Sequence, residues 1–239
     1  MAKLVFDIET SALSVDDMDE AQQEYLFRSV GRLEKEEQKE EKREEILRLM
    51  NLWPFTAQII CIAMINADTG RGQVLFIAED YEPSADEEGK VEFIPCVDES
   101  ELITAFWDVS KHYDSIITFN GRAFDIPFLY LRSAVLNVPI LSRNWLGYRF
   151  QTNPHCDLAE QLSFYGVSGR EGAARKFTLD FYCRAFGIVS PKSFGVTGVD
   201  MNRLMTEGKH QEIAEYCLRD VQATLELHAI WKSRLEGIK

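Results

Sequence analysis

The stretch Leu4-Val5-Phe6-Asp7-Ile8-Glu9-Thr10 decides how this chain is read. An apolar run carries two carboxylates one residue apart, and side chains along a strand alternate between faces with a period of two. Asp7 and Glu9 therefore project from one side of a strand, while Phe6 and Ile8 enter the layer on the other. Two like charges this close on a rigid element repel, and a cation between them relieves the repulsion. Hard divalent cations such as Mg²⁺ accept carboxylate sites of this kind with only a few protein ligands. Taken alone, the pattern fits a strand end with solvated acids equally well, so partners must come from elsewhere in the chain.

Composition narrows what those partners can be. With 239 residues, 46% of them hydrophobic, the chain is expected to form one domain over 1–239 with a normal core. Its 39 acidic and 26 basic residues give a net charge of −13. That balance argues against a high-affinity, non-specific protein that coats nucleic acid by phosphate neutralisation alone. An enzyme whose metal ions supply positive charge locally is still allowed. No apolar run reaches the length of a membrane span, and a strand follows Lys3 directly, so the expected protein is soluble, cytoplasmic and without a membrane partner. Five scattered cysteines without C-x-x-C spacing suit reduced thiols.

The composition changes abruptly after the first strand. Residues 14–51 are charged, with Glu34 to Glu45 mixing signs at helical spacing ahead of Ile46, Leu47, Leu49 and Met50. The reading is an acidic helical insertion, one helix or two broken near Gly31, laced by i,i+4 ion pairs. It is either a solvated surface arm or a lid or docking arm for a protein partner. Beyond it, Gln58 to Ile65 reads as a buried strand and Gln73 to Ala78 as its hairpin mate. Residues 81–98, acidic and broken by proline, read as a surface loop. Glu99 to Lys111 is an amphipathic helix and Ser115 to Asn120 a strand.

That strand runs into Asn120-Gly121-Arg122-Ala123-Phe124-Asp125-Ile126-Pro127-Phe128-Leu129. Gly121 permits a sharp turn or a close approach to a ligand, and Asp125 falls in the first helical turns, at the carboxyl edge of the sheet. Arg143, Asn144, Trp145, Tyr148 and Arg149 form a cation and aromatic mixture that either stacks bases or packs a long loop. His155 is expected to make a structural hydrogen bond and Asp157 to cap a helix. Lys176 to Phe186 reads as a helix stopped by Gly187, with a loop after it. A long helix from Gln211 to Leu235 buries Ile213, Cys217 and Val221 and sets Tyr216 and Asp220 one turn apart on one face.

Asp7, Glu9, Asp125 and Asp220 match the four acids of the DEDD superfamily of 3′–5′ exonucleases, and Tyr216 fits its tyrosine subclass. Glu215 occupies the position where the histidine subclass carries its histidine. The three motif segments resemble the proofreading exonuclease domain of family B DNA polymerases. With no polymerase portion in this sequence, the nearer resemblance is to the free-standing family related to that domain. The insertion at 14–51 departs from the family pattern.

The resemblance implies an α/β, ribonuclease H-like fold with a mixed five-stranded sheet flanked by helices, the fifth strand lying between Val138 and Leu158. It also implies two divalent ions, Mg²⁺ or Mn²⁺. Asp7 would bridge them, Glu9 and Asp220 complete the first, and Asp125 hold the second. Tyr216 would orient the attacking water. The backbone around Ile8 and Thr10 would cradle a 3′ end, Asn120 at the Gly121 turn would contact the terminal sugar, and Phe124 would stack on the terminal base. The implied activity is removal of nucleoside 5′-monophosphates from single-stranded or frayed DNA, with RNA as the alternative polymer. A non-catalytic module of the same fold, binding nucleic-acid ends or a polymerase, is the competing reading.

Overall fold

The computed structural model describes residues 2–141, 144–167, 169 and 171–237. Its centre is a mixed seven-stranded sheet, built outward from the opening strand. Strand β1 (Lys3–Ala12) pairs antiparallel with β2 (Ala57–Asn66), and β2 pairs antiparallel with β3 (Gly72–Ile77). On its other side β1 runs parallel to β6 (Ser115–Thr118), which runs parallel to β7 (His155–Asp157). The expected fifth strand is β7, and the expected hairpin is β2–β3.

Two further strands, β4 (Ser84–Ala85) and β5 (Val91–Cys96), extend the sheet to the order β4-β5-β3-β2-β1-β6-β7. This corrects both the five-strand count and the reading of 81–98 as a loop. Val91 and Phe93 alternate inward on β5, a pattern masked in sequence by Pro95 and the acidic residues around it. Pro95 is tolerated because it lies past the two residues of β4, where β5 pairs only with β3.

Being central, β1 is covered on both faces. Leu4, Phe6 and Ile8 belong to a core shared with α3 (Glu99–Ser110) and α4 (Asp125–Val135). Val5 belongs to the opposite core, which includes α6 (Leu179–Phe186), α7 (Met201–Thr206) and α8 (His210–Arg234). Strand alternation then turns Asp7 and Glu9 toward the α8 layer. The register of β1 against β2 shifts between Glu9 and Thr10, a bulge immediately after the second acid. Helix α7 lies within the segment expected to be loop. Its two turns bury only Met201 and Leu204, too short a pattern to declare a helix.

The insertion forms two surface helices, α1 (Glu20–Phe27), capped by Asp19, and α2 (Glu36–Leu49), with a short 3₁₀ turn at Val30–Arg32 between them. Its close ion pairs, Lys39–Glu36 and Lys42–Glu45, are spaced i,i+3 rather than i,i+4. Thr10 Oγ1 donates to Asn51 O at 2.7 Å and Ala12 N to Asn51 Oδ1 at 3.0 Å, which closes the insertion at its base. All five cysteines are buried free thiols. Among the described residues no helix is long and apolar enough to cross a membrane.

One buried ion pair fixes α4 against the rest. Arg132 Nε and Nη2 donate to Glu99 Oε1 and Oε2 at 2.9 and 2.6 Å, while Arg132 Nη1 reaches Pro54 O at 3.0 Å. Glu99 Oε1 also accepts from Ile59 N at 2.7 Å. Removing one partner strands the other charge in the interior. Arg132→Met is expected to destabilise the fold by about 3–5 kcal/mol, read from the shift in the urea unfolding midpoint.

Candidate active site

Three elements bring the sequence-predicted acids to one place. β1 supplies Asp7 and Glu9. The first turn of α4 supplies Asp125, which accepts from Ile8 N through Oδ1 at 3.2 Å and is only 2% exposed. α8 supplies Tyr216 and Asp220, one turn apart on one face. Cys217 Sγ donates to Asp7 O at 3.5 Å, which seats α8 on β1. Ligand atoms of Asp7, Glu9 and Cys217 lie within 4.8 Å of one another.

Burial pushes Asp7 and Glu9 well above the usual carboxylate range, and the neighbouring carboxylates Asp125 and Asp220 push both further. Asp125 is raised to about 7 by burial, with the Ile8 N–H opposing the rise. Asp220 is raised to about 7 by burial, against the Tyr216 hydroxyl, Lys192 and Arg219. Tyr216 is held as a neutral phenol, first by burial and then by the charges of Asp220, Glu9 and Asp7. Four hard oxygen donors in mutual repulsion are a donor set that suits divalent cations such as Mg²⁺ or Mn²⁺.

The Asn120–Gly121 turn delivers Asp125. Asn120 takes a left-handed backbone, φ 68°, and its N–H is held by Asp157 Oδ1 at 2.9 Å. A Cβ on Gly121 would sit 2.4 Å from Thr118 Oγ1, so no larger residue fits. Asp157 caps α5 (Leu158–Leu162), and His155 hydrogen-bonds Thr118 Oγ1 at 2.8 Å.

Asp7 and Asp220 open on a cleft of about 850 Å³ that reaches with Tyr216 past Asn120 to Lys176, Phe181 and Lys192, while Glu9 and Asp125 lie buried beside them. Of the expected substrate contacts, Asn120 lines it and bonds the Lys176 ammonium through Oδ1. Phe124 does not line the cleft; its ring packs on Phe128 at 5.3 Å, because the turn into α4 points it at the core shared by α3 and α4. The Ile8 N–H is taken by Asp125 and the Thr10 hydroxyl by Asn51. Trp145 is fully buried, and Arg143 lies outside the described residues.

Sequence reasoning missed the far wall. The sequence pattern puts Lys176 and Phe177 in a helix, yet α6 starts at Leu179 behind its Thr178 cap, which frees Arg175, Lys176 and Phe177 to face the cleft. Phe177 stacks on Phe181 at 4.3 Å and 12°. A basic-aromatic run placed just ahead of a cap was the available signal.

Because Asp125 and Asp220 are raised above their unfolded values, the stability they contribute is full below about pH 4 and is lost as pH rises through about 7. In EDTA the melting temperature is expected to fall between about pH 5 and pH 8, and millimolar Mn²⁺ to reverse the fall at the alkaline end. A melting curve indifferent to both would contradict this electrostatic account.

Comparison with known proteins bears on the family and the fold. The chain is 30% identical over 146 residues to DNA polymerase 1 of Sulfurisphaera ohwakuensis, covering 56% of this chain and 16% of that protein. It is 26% identical over 178 residues to DNA polymerase 1 of Sulfolobus acidocaldarius, covering 71% of this chain and 19% of that protein. The chain thus spans less than a fifth of these relatives. The family B DNA polymerase from Pyrobaculum calidifontis shares the fold, with a TM-score of 0.58 and 19% identity over 97% of this chain and 24% of that one. A family described as "Predicted 3'-5' exonuclease related to the exonuclease domain of PolB" matches residues 55–231, beginning just beyond the insertion and leaving β1 with its two acids outside the match. On a match over well more than half its length, this chain belongs to that family of PolB-related exonuclease domains.

Proposed function

We propose that the chain is a divalent-metal-dependent 3′–5′ exonuclease acting on single-stranded or frayed DNA and releasing nucleoside 5′-monophosphates. The observation that carries this reading is the meeting of four carboxylates from β1, α4 and α8 with a neutral phenol at the head of a cleft. Asp7, Glu9, Asp125 and Asp220 would hold the ions. Bound there, two divalent ions supply water activation and charge neutralisation at an in-line phosphodiester displacement.

The chain's own groups do the positioning. Tyr216 keeps its proton, so it can hold a water by donating or accepting without adding charge to an acidic site. Lys176 and Lys192 set ammonium groups along the cleft, where an incoming phosphate backbone needs counter-charge. Asn120, held on its left-handed turn and tied to Lys176, would meet the terminal sugar. The Phe177–Phe181 pair offers a stacking surface for the terminal base in place of Phe124.

The test is release of mononucleotides from 3′-labelled and 5′-labelled single strands in Mg²⁺ or Mn²⁺. Asp7→Ala is expected to fall to the uncatalysed background. Tyr216→Phe should lose about 10²-fold in kcat with little change in KM, since only the orienting hydroxyl is removed. A folded wild-type protein that releases nothing, or one that cuts internally before terminally, would overturn the reading.

A further inference from the structure

Beyond the Asn120–Arg122 turn lies an exposed set of aromatic rings that the acids do not use. Tyr148 and Phe150 are 67% and 56% exposed. Their ring centroids are 5.6 Å apart, and Phe150 meets Tyr165 at 4.9 Å. Single apolar residues on a surface need no explanation, whereas a connected exposed set marks an interaction site.

The set is held in place at two points. Phe164 and Tyr165 both occupy left-handed backbone, φ 45° and 59°, a region bulky residues keep only where their surroundings impose it. Arg149 Nε pairs with Glu160 Oε1 at 2.6 Å and its Nη2 donates to Tyr165 O at 3.5 Å. The second oxygen of Glu160 pairs with Arg122 Nε at 3.1 Å, and Arg122 Nη1 donates to Leu146 O and Gly147 O at 3.0 and 3.2 Å. The rings are thereby bolted to the turn that carries Asn120, a wall of the cleft. Two guanidinium groups share one carboxylate there, so this surface is locally cationic on a chain of net charge −13.

We infer that Tyr148, Phe150 and Tyr165 form a stacking platform for unpaired bases of the DNA strand whose 3′ end enters the cleft. The inference rests on the exonuclease reading for the direction of the strand. Stacking suits an acidic protein because it draws on the base faces and not on counterion release. Continuity with the cleft through Glu160 and Arg122 favours the same strand as the occupant over a separate protein.

The test compares a 5′-fluorescein thymidylate strand of about 10 nucleotides with a thymidine dinucleotide, which fills the cleft alone. Anisotropy in EDTA reads binding of the longer strand without turnover, and Mg²⁺ assays read hydrolysis of both. Tyr148→Ala with Phe150→Ala is expected to raise Kd and KM for the longer strand about tenfold, the worth of one stacked base, with kcat and the dinucleotide KM unchanged. The loss should be the same at low and high salt. Phe150→Tyr should keep affinity and Phe150→Leu should not; the leucine variant also serves where the alanine pair loses stability. An unchanged Kd, or a dinucleotide KM that rises in parallel, overturns the platform. A wild type that hydrolyses neither substrate yet binds the strand through these rings overturns the exonuclease reading and leaves the platform standing.

Discussion

The N–H of Ile8 donates to Asp125 Oδ1, and the geometry of the acidic centre follows from that bond. β6 pairs with β1 only as far as Val5, so the N–H of Ile8 lies beyond the end of the ladder on that side. In the interior it must find a partner, and the first turn of α4 supplies one. The same bond fixes a carboxylate beside a residue flanked by Asp7 and Glu9. Gly121 makes it possible, since only a residue without a Cβ lets the chain leave β6 so closely over Thr118. An orphaned backbone donor and a steric restriction together bring the third acid to the first two.

Concentrating these carboxylates opposes folding, and the surrounding structure shows how the cluster is held. Burial raises all four acids and neighbouring carboxylates raise Asp7, Glu9 and Asp125 further, while little opposes it: two backbone N–H groups at Asp125, one phenol and two cations at Asp220. The strain is borne by elements anchored elsewhere. α8 buries its apolar side across the sheet from Ile213 to Trp231, and α4 is clasped by the Glu99–Arg132 pair. Rigid supports with a charge-frustrated centre are the arrangement expected of a site that gains its stability from a cation.

Much of that centre was legible because two periodicities governed it. The period of two on β1 paired Asp7 with Glu9, and one turn of α8 paired Tyr216 with Asp220; both survive folding because they are local. What joins the pairs is tertiary, and motif resemblance supplied it where pattern alone left alternatives open. The misreadings share a cause. Phe124 carries an aromatic ring beside a motif acid, yet its direction is set by how α4 meets the core it shares with α3. β5 disappeared behind Pro95, whose missing N–H is harmless only because β4 is short. The cleft's far wall was hidden because helix capping at Thr178, rather than composition, decides which way Lys176 and Phe177 face.

Net charge, read over the whole chain, argues against nucleic acid; read by position, it argues for control. The mixed but acid-rich run from Glu34 to Glu45 sits on α2, on a surface arm, whereas Lys176 and Lys192 lie in the cleft. A polyanion approaching at random meets repulsion and gains little from counterion release. On the exonuclease reading proposed above, a strand that presents its end would place phosphates between the cleft lysines. It gives up duplex stacking to do so, and aromatic rings are the groups that restore it without adding charge. On that reading, an acidic surface with a cationic, aromatic entry would favour free ends over internal sequence, the discrimination an enzyme confined to termini requires.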